Sequence, residues 1–87
     1  MYKLNDNLIL KCFSNEIIIL NRITNEKLYF NSSFALIINK LLTCENYEKE
    51  IFNSIQYDLN DKDLIKKDIE EAVAYLKNNK IIIKEEG

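Results

Sequence analysis

The side chains that carry out most enzymatic chemistry are scarce in this chain. The sequence has no histidine, and its single glycine is the last residue, Gly87. Without histidine, a serine or cysteine nucleophile lacks its usual base. Without an internal glycine, there is no glycine-rich loop to hold a phosphate group. The composition therefore argues against an enzyme.

The cysteines and the acidic residues are expected to have structural roles. Cys12 and Cys44 stand far apart and form no CxxC pair, so we expect no metal site and no cofactor. Cys12 fits a small apolar strand residue, and Cys44 fits a loop residue. Asp68, Glu70 and Glu71 lie close together, but acidic groups on a helix usually form a solvated face. Binding is the kind of function that remains.

The charge of the chain limits its partners. The formal net charge is −2, whereas nucleic-acid binding depends on a basic face. The N-terminal residues lack the charged-then-apolar order of a signal peptide, and no apolar run is long enough to span a bilayer. We therefore expect a cytoplasmic protein that binds neither nucleic acid nor membranes.

Residues 60–83 predict a long helix with two distinct faces. The apolar stripe that would pack on a core recurs at helical spacing and comprises Ile65, Ile69, Ala72, Val73 and Leu76. A flank runs beside that stripe and comprises Leu64, Asp68, Glu71 and Tyr75. A core needs only the first face, so the flank is free to bind a second partner.

The ends of this helix are less sharply defined than its faces. Asn60 or Asp61 is expected to cap its start, and Asn78-Asn79 to end it in a left-handed turn. Residues 81–83 are apolar and β-branched, which fits either a tail packed on the core or a final strand.

The first third of the chain predicts an antiparallel sheet. Residues 8–13, 16–24 and 27–30 have strand composition, and the dipeptides Ser14-Asn15 and Asn25-Glu26 suit tight turns. In the second strand, one face should hold Ile17, Ile19 and Ile23. Turns this short allow only a meander, whose outer strands each leave one row of backbone groups unpaired.

Two more helices follow the sheet. The first is expected after a cap at residues 31–33, with a core face of Phe34, Ile37, Ile38, Leu41 and Leu42. The second is expected to begin at Asn46 and to end near residues 57–58, with apolar residues Ile51, Phe52, Ile55 and Leu59. The order β-β-β-α-α-α predicts an α+β fold, a winged helix-turn-helix, in one domain over residues 1–87.

The unpaired edge of residues 27–30 and the flank of the last helix would form a groove if they lay side by side. An extended peptide could then add a fourth strand to the sheet, and the helix would contact its side chains. The alternative is purely structural: Lys27 would protect an edge strand, and Leu64 and Tyr75 would belong to the periphery of the core.

From Leu8 to Ile82, the chain resembles the PqqD-like proteins, the recognition elements for precursors of ribosomally made, modified peptides. Residues 25–33 resemble the family's turn, aromatic strand and Leu-Asn-x-Thr helix entry. Residues 46–55 resemble its second helix, and residues 65–82 its closing Val-x-x-Asp-Val, Phe-Leu-x-x-Leu and Gly-Leu-Ile pattern. Phe34 stands where the family usually has alanine, and Lys80 where it usually has glycine.

The resemblance implies a winged helix-turn-helix that binds the leader segment of a precursor peptide without catalysis. The leader would then be delivered to a modifying enzyme, such as a radical-SAM enzyme, a cyclase or a leader protease. It also implies that the leader pairs with the third strand beside the third helix. On this chain the expected contact residues are Lys27, Leu28, Tyr29, Phe30, Asn31, Leu64, Lys67, Asp68, Glu71 and Tyr75.

Two other functions fit the same architecture. A winged-helix DNA-binding regulator would use the third helix for recognition, and Lys62, Lys66 and Lys67 would favour it. The acidic residues Asp68 and Glu71 on that helix would face phosphates unfavourably. The other possibility is an oligomer that fills its own sheet edge.

Overall fold

The computed structural model describes residues 1–84, so the last three residues of the predicted domain, 85–87, lie outside the described part. Five strands and three α-helices follow in the order β1, β2, β3, β4, α1, α2, α3, β5. Their bounds are β1 Tyr2–Leu4, β2 Leu8–Phe13, β3 Glu16–Asn21, β4 Lys27–Phe30, α1 Ser32–Thr43, α2 Tyr47–Ser54, α3 Lys62–Asn78 and β5 Ile82–Lys84.

The predicted meander followed by three helices is confirmed. Strands β2, β3 and β4 form one antiparallel sheet in that order, with β3 in the centre. The turn at Ser14-Asn15 is as predicted, and Ser14 takes a positive φ of 51° there. Ile17 and Ile19 are buried on the sheet face that the helices cover, and Phe30 of β4 lies on the same face.

The predicted end of β3 was wrong. The strand stops at Asn21, so Ile23 does not share the core face of Ile17 and is 71% exposed. The Asn21 side-chain oxygen accepts the N–H groups of Ile23 and Thr24 at 2.9 and 3.1 Å, which curls the chain into a turn. Asn25 has φ 62°, the positive φ expected of it, within a loop longer than the predicted two residues.

Helix α1 packs on β3 and β4, and residues of all three helices and of the sheet share one core. Asn31 caps α1, since its side-chain oxygen accepts the Phe34 N–H at 3.0 Å. The predicted stripe of α3 is confirmed, because its members are buried apart from the partly buried Ile65. The core also includes Ile38 and Leu41 of α1 and Ile51 of α2.

Helix α2 is shorter than predicted. It ends at Ser54, whose hydroxyl donates to the Glu50 carbonyl at 2.8 Å, and Ile55 is already extended. Leu59 therefore is not a core residue of α2 and is 80% exposed in a 3₁₀ turn. Asp61 occupies the N-cap position of α3 but makes no side-chain capping bond.

Helix α3 ends in a left-handed turn one residue later than predicted. Lys80, not Asn79, has the positive φ, 57°. The N–H of Ile81 donates to the Leu76 carbonyl at 2.9 Å, and the N–H of Lys80 donates to the Lys77 carbonyl at 3.0 Å. This pair of bonds is a Schellman motif with lysine at the position that glycine normally takes.

Ile82–Lys84 form a strand, which is one of the two alternatives predicted for residues 81–83. Its partner is β1, which the sequence analysis did not predict, and the two strands pair antiparallel as a separate ribbon. Ile81, just before β5, and Ile82, its first residue, are both buried in the core. Among residues 1–84, no helix combines the length and the apolar character needed to cross a bilayer.

Candidate functional site

Strand β4 pairs with β3 along one edge, and the described residues place no strand on its other edge. One hydrogen bond shows which residues of β4 bond to β3. Asn21 and Glu26 continue the β3–β4 register, and the Asn21 N–H donates to the Glu26 carbonyl at 2.9 Å, so they form a hydrogen-bonded pair. Because such pairs alternate, Leu28 and Phe30 direct their backbone groups toward β3. Lys27 and Tyr29 therefore present an N–H and a carbonyl each at the free edge.

The side chains of β4 point alternately to the two faces of the sheet. Phe30 is buried, and Leu28, on the same face, is 37% exposed. Lys27 and Tyr29 are exposed on the other face of the sheet. A strand added at this edge would therefore hydrogen-bond to Lys27 and Tyr29, while its inward side chains would lie level with Leu28 and Phe30.

Three aromatic rings connect the free edge to α3. The turn that Asn31 makes from β4 into α1 brings Phe34 against Phe30, with stacked rings whose centroids are 4.9 Å apart. The other side of Phe34 meets Tyr75 of α3 edge-on, with centroids 6.0 Å apart. Phe34 thus forms the floor between strand and helix.

Two cavities lie in this region; Tyr75 lines both of them, and Phe34 lines one. We call them together the β4–α3 groove. The Leu28 cavity has a volume of about 360 Å³, and its walls are Asn5, Asn7, Leu8, Ile19, Asn21, Glu26, Leu28, Tyr75, Asn79, Lys80 and Ile81. The Asp68 cavity has a volume of about 420 Å³, and its walls are Asn31, Ser33, Phe34, Ile37, Asp68, Glu71, Ala72 and Tyr75.

The two cavities differ in charge. The Leu28 cavity contains one acidic and one basic residue, Glu26 and Lys80, above an apolar floor. The Asp68 cavity contains two acidic residues, Asp68 and Glu71, and no basic residue. It follows that the groove has a formally neutral end and a negative end.

The structure brings together five of the ten predicted contact residues. Tyr75, Asp68, Glu71 and Asn31 share one cavity, and Leu28 meets Tyr75 in the other. Lys27, Tyr29 and Phe30 line neither cavity; Lys27 and Tyr29 present backbone groups at the free edge, whereas those of Phe30 face β3. Leu64 and Lys67 are exposed on α3 and also line neither cavity.

Several groove residues were missed by the sequence analysis. Phe34 was predicted as a core-face residue of the first helix and noted as a departure from the resembled pattern, yet it also lines the Asp68 cavity. Asn5, Asn7 and Lys80 line the groove because the β1–β5 ribbon holds both ends of the chain beside α3. The two asparagines before Leu8, Asn5 and Asn7, are visible in the sequence. Their place in the groove could not be predicted from it, because it depends on the unpredicted strand β1.

Comparison with solved structures supports the assignment of the fold. The chain is similar to TbiB1 in complex with the TbiA(beta) leader peptide, with a TM-score of 0.76 and 15% identity over 98% of this chain and 99% of the other. It is also similar to lasso peptide synthetase B1 complexed with the leader peptide, with a TM-score of 0.73 and 19% identity over 95% and 98% of the two chains. No protein-family model and no curated protein matches the sequence.

These similarities define the class of fold. Both solved chains are matched over nearly their whole length, so this chain has the complete α+β fold seen in those two leader-peptide complexes. The fold that the sequence resemblance implied is thereby confirmed.

Proposed function

We propose that this protein binds the leader segment of a ribosomally made precursor peptide by strand addition at β4. The observation that carries the proposal is the free edge of Lys27 and Tyr29 beside a groove centred on Tyr75. The same fold in two proteins solved with leader peptides supports the proposal. We further propose that residues 1–87 form one such domain in the cytoplasm.

The guest peptide would be held both by backbone hydrogen bonds to β4 and by side-chain contacts in the groove. The guest backbone would exchange hydrogen bonds with Lys27 and Tyr29, and the N–H of Asn31 follows on the same side by the same alternation. These bonds are independent of guest sequence, so selectivity falls to the groove. Leu28 and Tyr75 would contact apolar guest side chains, while Leu64 and Lys67 would extend the contact along α3.

The domain would supply no catalysis itself. A modifying enzyme, such as a radical-SAM enzyme, a cyclase or a leader protease, would act on the peptide that the domain holds. Tethering the substrate raises its effective concentration at that enzyme and fixes its orientation. The DNA-binding alternative is not favoured, because Asp68, Glu70 and Glu71 are all exposed on α3.

The test is titration of the protein with synthetic peptides that span each short reading frame beside its gene. We expect one peptide to bind and to shift the amide signals of residues 27–31 and 68–75 in nuclear magnetic resonance spectra. Tyr75→Ala should weaken that binding about tenfold, because Tyr75 lines both cavities.

Tyr29→Ala is the matched control, since Tyr29 is a 71% exposed tyrosine on the opposite sheet face. It should change the affinity by less than about threefold. If no peptide binds, or if the shifted amides lie away from β4 and α3, the proposed function is wrong.

A further inference from the structure

A net negative charge beside aromatic and aliphatic side chains occurs only at the Asp68 end of the groove. The Asp68 cavity is lined by Asp68 and Glu71 together with Phe34, Ile37 and Tyr75. A carboxylate pair beside aromatic rings suits a long cationic side chain, whose stem packs on apolar surface and whose head meets the acids. The Leu28 cavity, with one charge of each sign, has no such preference.

The hydrogen-bonding pattern of β4 determines which side chains of an added strand would point toward these cavities. A guest strand bonded to Lys27 and Tyr29 places inward side chains level with Leu28 and with Phe30, whether it runs parallel or antiparallel. These two positions are two residues apart, or about 7 Å along the strand. The first faces the Leu28 cavity, and the second faces the Asp68 cavity, which begins at Asn31 and Phe34.

We propose that the guest peptide carries lysine or arginine at the inward position level with Phe30, two residues from a large apolar side chain level with Leu28. This inference rests on the proposed function and names the class of peptide that the groove selects. Asp68 and Glu71 are the specificity-determining residues. Lys67 precedes Asp68 on α3 and does not line the cavity.

The experiment is selection from a displayed library of random peptides long enough to span β4. The immobilised baits are the wild-type protein, the charge-reversed variant Asp68→Lys/Glu71→Lys, and the control Glu45→Lys/Glu70→Lys. The control has the same change in net charge, and its two residues are exposed and line neither cavity. Circular dichroism checks that each variant is folded.

The wild-type protein and the control should enrich lysine or arginine at one position, two residues from a large apolar residue. The charge-reversed variant should instead enrich aspartate or glutamate at that position. For one enriched peptide and its Lys→Glu counterpart, calorimetry at low salt should show a preference of about tenfold, reversed in the variant and weaker at high salt.

The outcomes separate this inference from the function on which it rests. If peptides bind but show no charge preference, or the same preference in the charge-reversed variant, the inference is wrong and strand addition stands. If no peptide is enriched, or if the enriched peptides bind Tyr29→Pro as well as wild type, the proposed function itself is wrong.

Discussion

A proline at position 29 tests strand addition at the level of single hydrogen bonds. The N–H of Tyr29 points away from β3, so its loss breaks no bond within the protein. The side chain is 71% exposed, so its removal costs little burial. Proline is tolerated in edge strands where the N–H faces outward, and we expect the free domain to lose about 1 kcal/mol of stability or less.

The same substitution should strongly weaken peptide binding. It removes one hydrogen bond to the guest and leaves a guest carbonyl facing the proline ring, which together cost about 1–3 kcal/mol. This corresponds to an affinity roughly 5- to 150-fold lower. Calorimetric titration of Tyr29→Pro with a bound peptide measures the loss, and Tyr29→Ala, which keeps the N–H, should bind within about threefold of wild type.

Leu28→Pro is the comparison variant, because it removes an N–H that bonds within the sheet. The Leu28 N–H points toward Ile19, so proline there removes a bond of the β3–β4 ladder, leaves a β3 carbonyl unpaired and should destabilise the fold by about 1–3 kcal/mol. Thermal melting distinguishes the two variants. Equal melting temperatures for Tyr29→Pro and Leu28→Pro would show that the hydrogen-bonding pattern assigned to β4 is wrong, and equal peptide affinities for Tyr29→Pro and Tyr29→Ala would refute strand addition.

Two further predictions concern stability. Lys80→Gly should raise the free energy of unfolding by about 1 kcal/mol, because glycine adopts φ 57° without strain. The melting temperature should then rise by about 4–8 °C. Lys80→Ala is the control and should show no such gain. Burial, and then the nearby Tyr2, Glu48 and Glu70, raise the pKa of Tyr47 above its ordinary value of 10.0. Because its folded pKa is the higher, stability should fall as the pH rises above about 10. Denaturant unfolding at neutral and at high pH should show a smaller fall in Tyr47→Phe; an equal fall would contradict this role.

The elements with a strong period were predictable from the sequence. The stripe of α3 recurs at helical spacing and is buried, with Leu76 fully enclosed. The flank with Asp68 and Tyr75 is exposed, as its mixed composition indicated. A three-stranded meander must have two edge strands, so a free edge at Lys27–Phe30 could be expected without knowing the packing.

The ends of elements were the main errors, and polar side chains caused them. Asn21 stops β3, and Ser54 accompanies the early end of α2, through side-chain bonds to nearby backbone groups. Such local bonds compete with strand and helix ladders, and a chain rich in asparagine offers many of them. The apolar pattern continues past both residues, so periodicity alone placed Ile23 and Leu59 in elements that had already ended.

The walls of the groove could not be predicted in the same way, because they depend on contacts between the two ends of the chain. Asn5 lines the Leu28 cavity, and its side-chain amide donates to the Lys80 carbonyl at 2.8 Å across most of the sequence. No local pattern encodes that contact. Tyr2–Leu4 is too short to show a period, so its pairing with β5 was also invisible in the sequence.

The left-handed turn at Lys80 lies directly before β5, which pairs with β1. A C-terminal strand could have paired with β4 and closed the sheet. Instead the turn directs the chain to β1, where the Asn5 N–H donates to the Ile81 carbonyl at 3.0 Å. Burial of Ile81 and Ile82 against the core makes that course favourable despite the strained residue. Lys80 and Ile81 thus line the Leu28 cavity, and within residues 1–84 no strand pairs with the outer edge of β4.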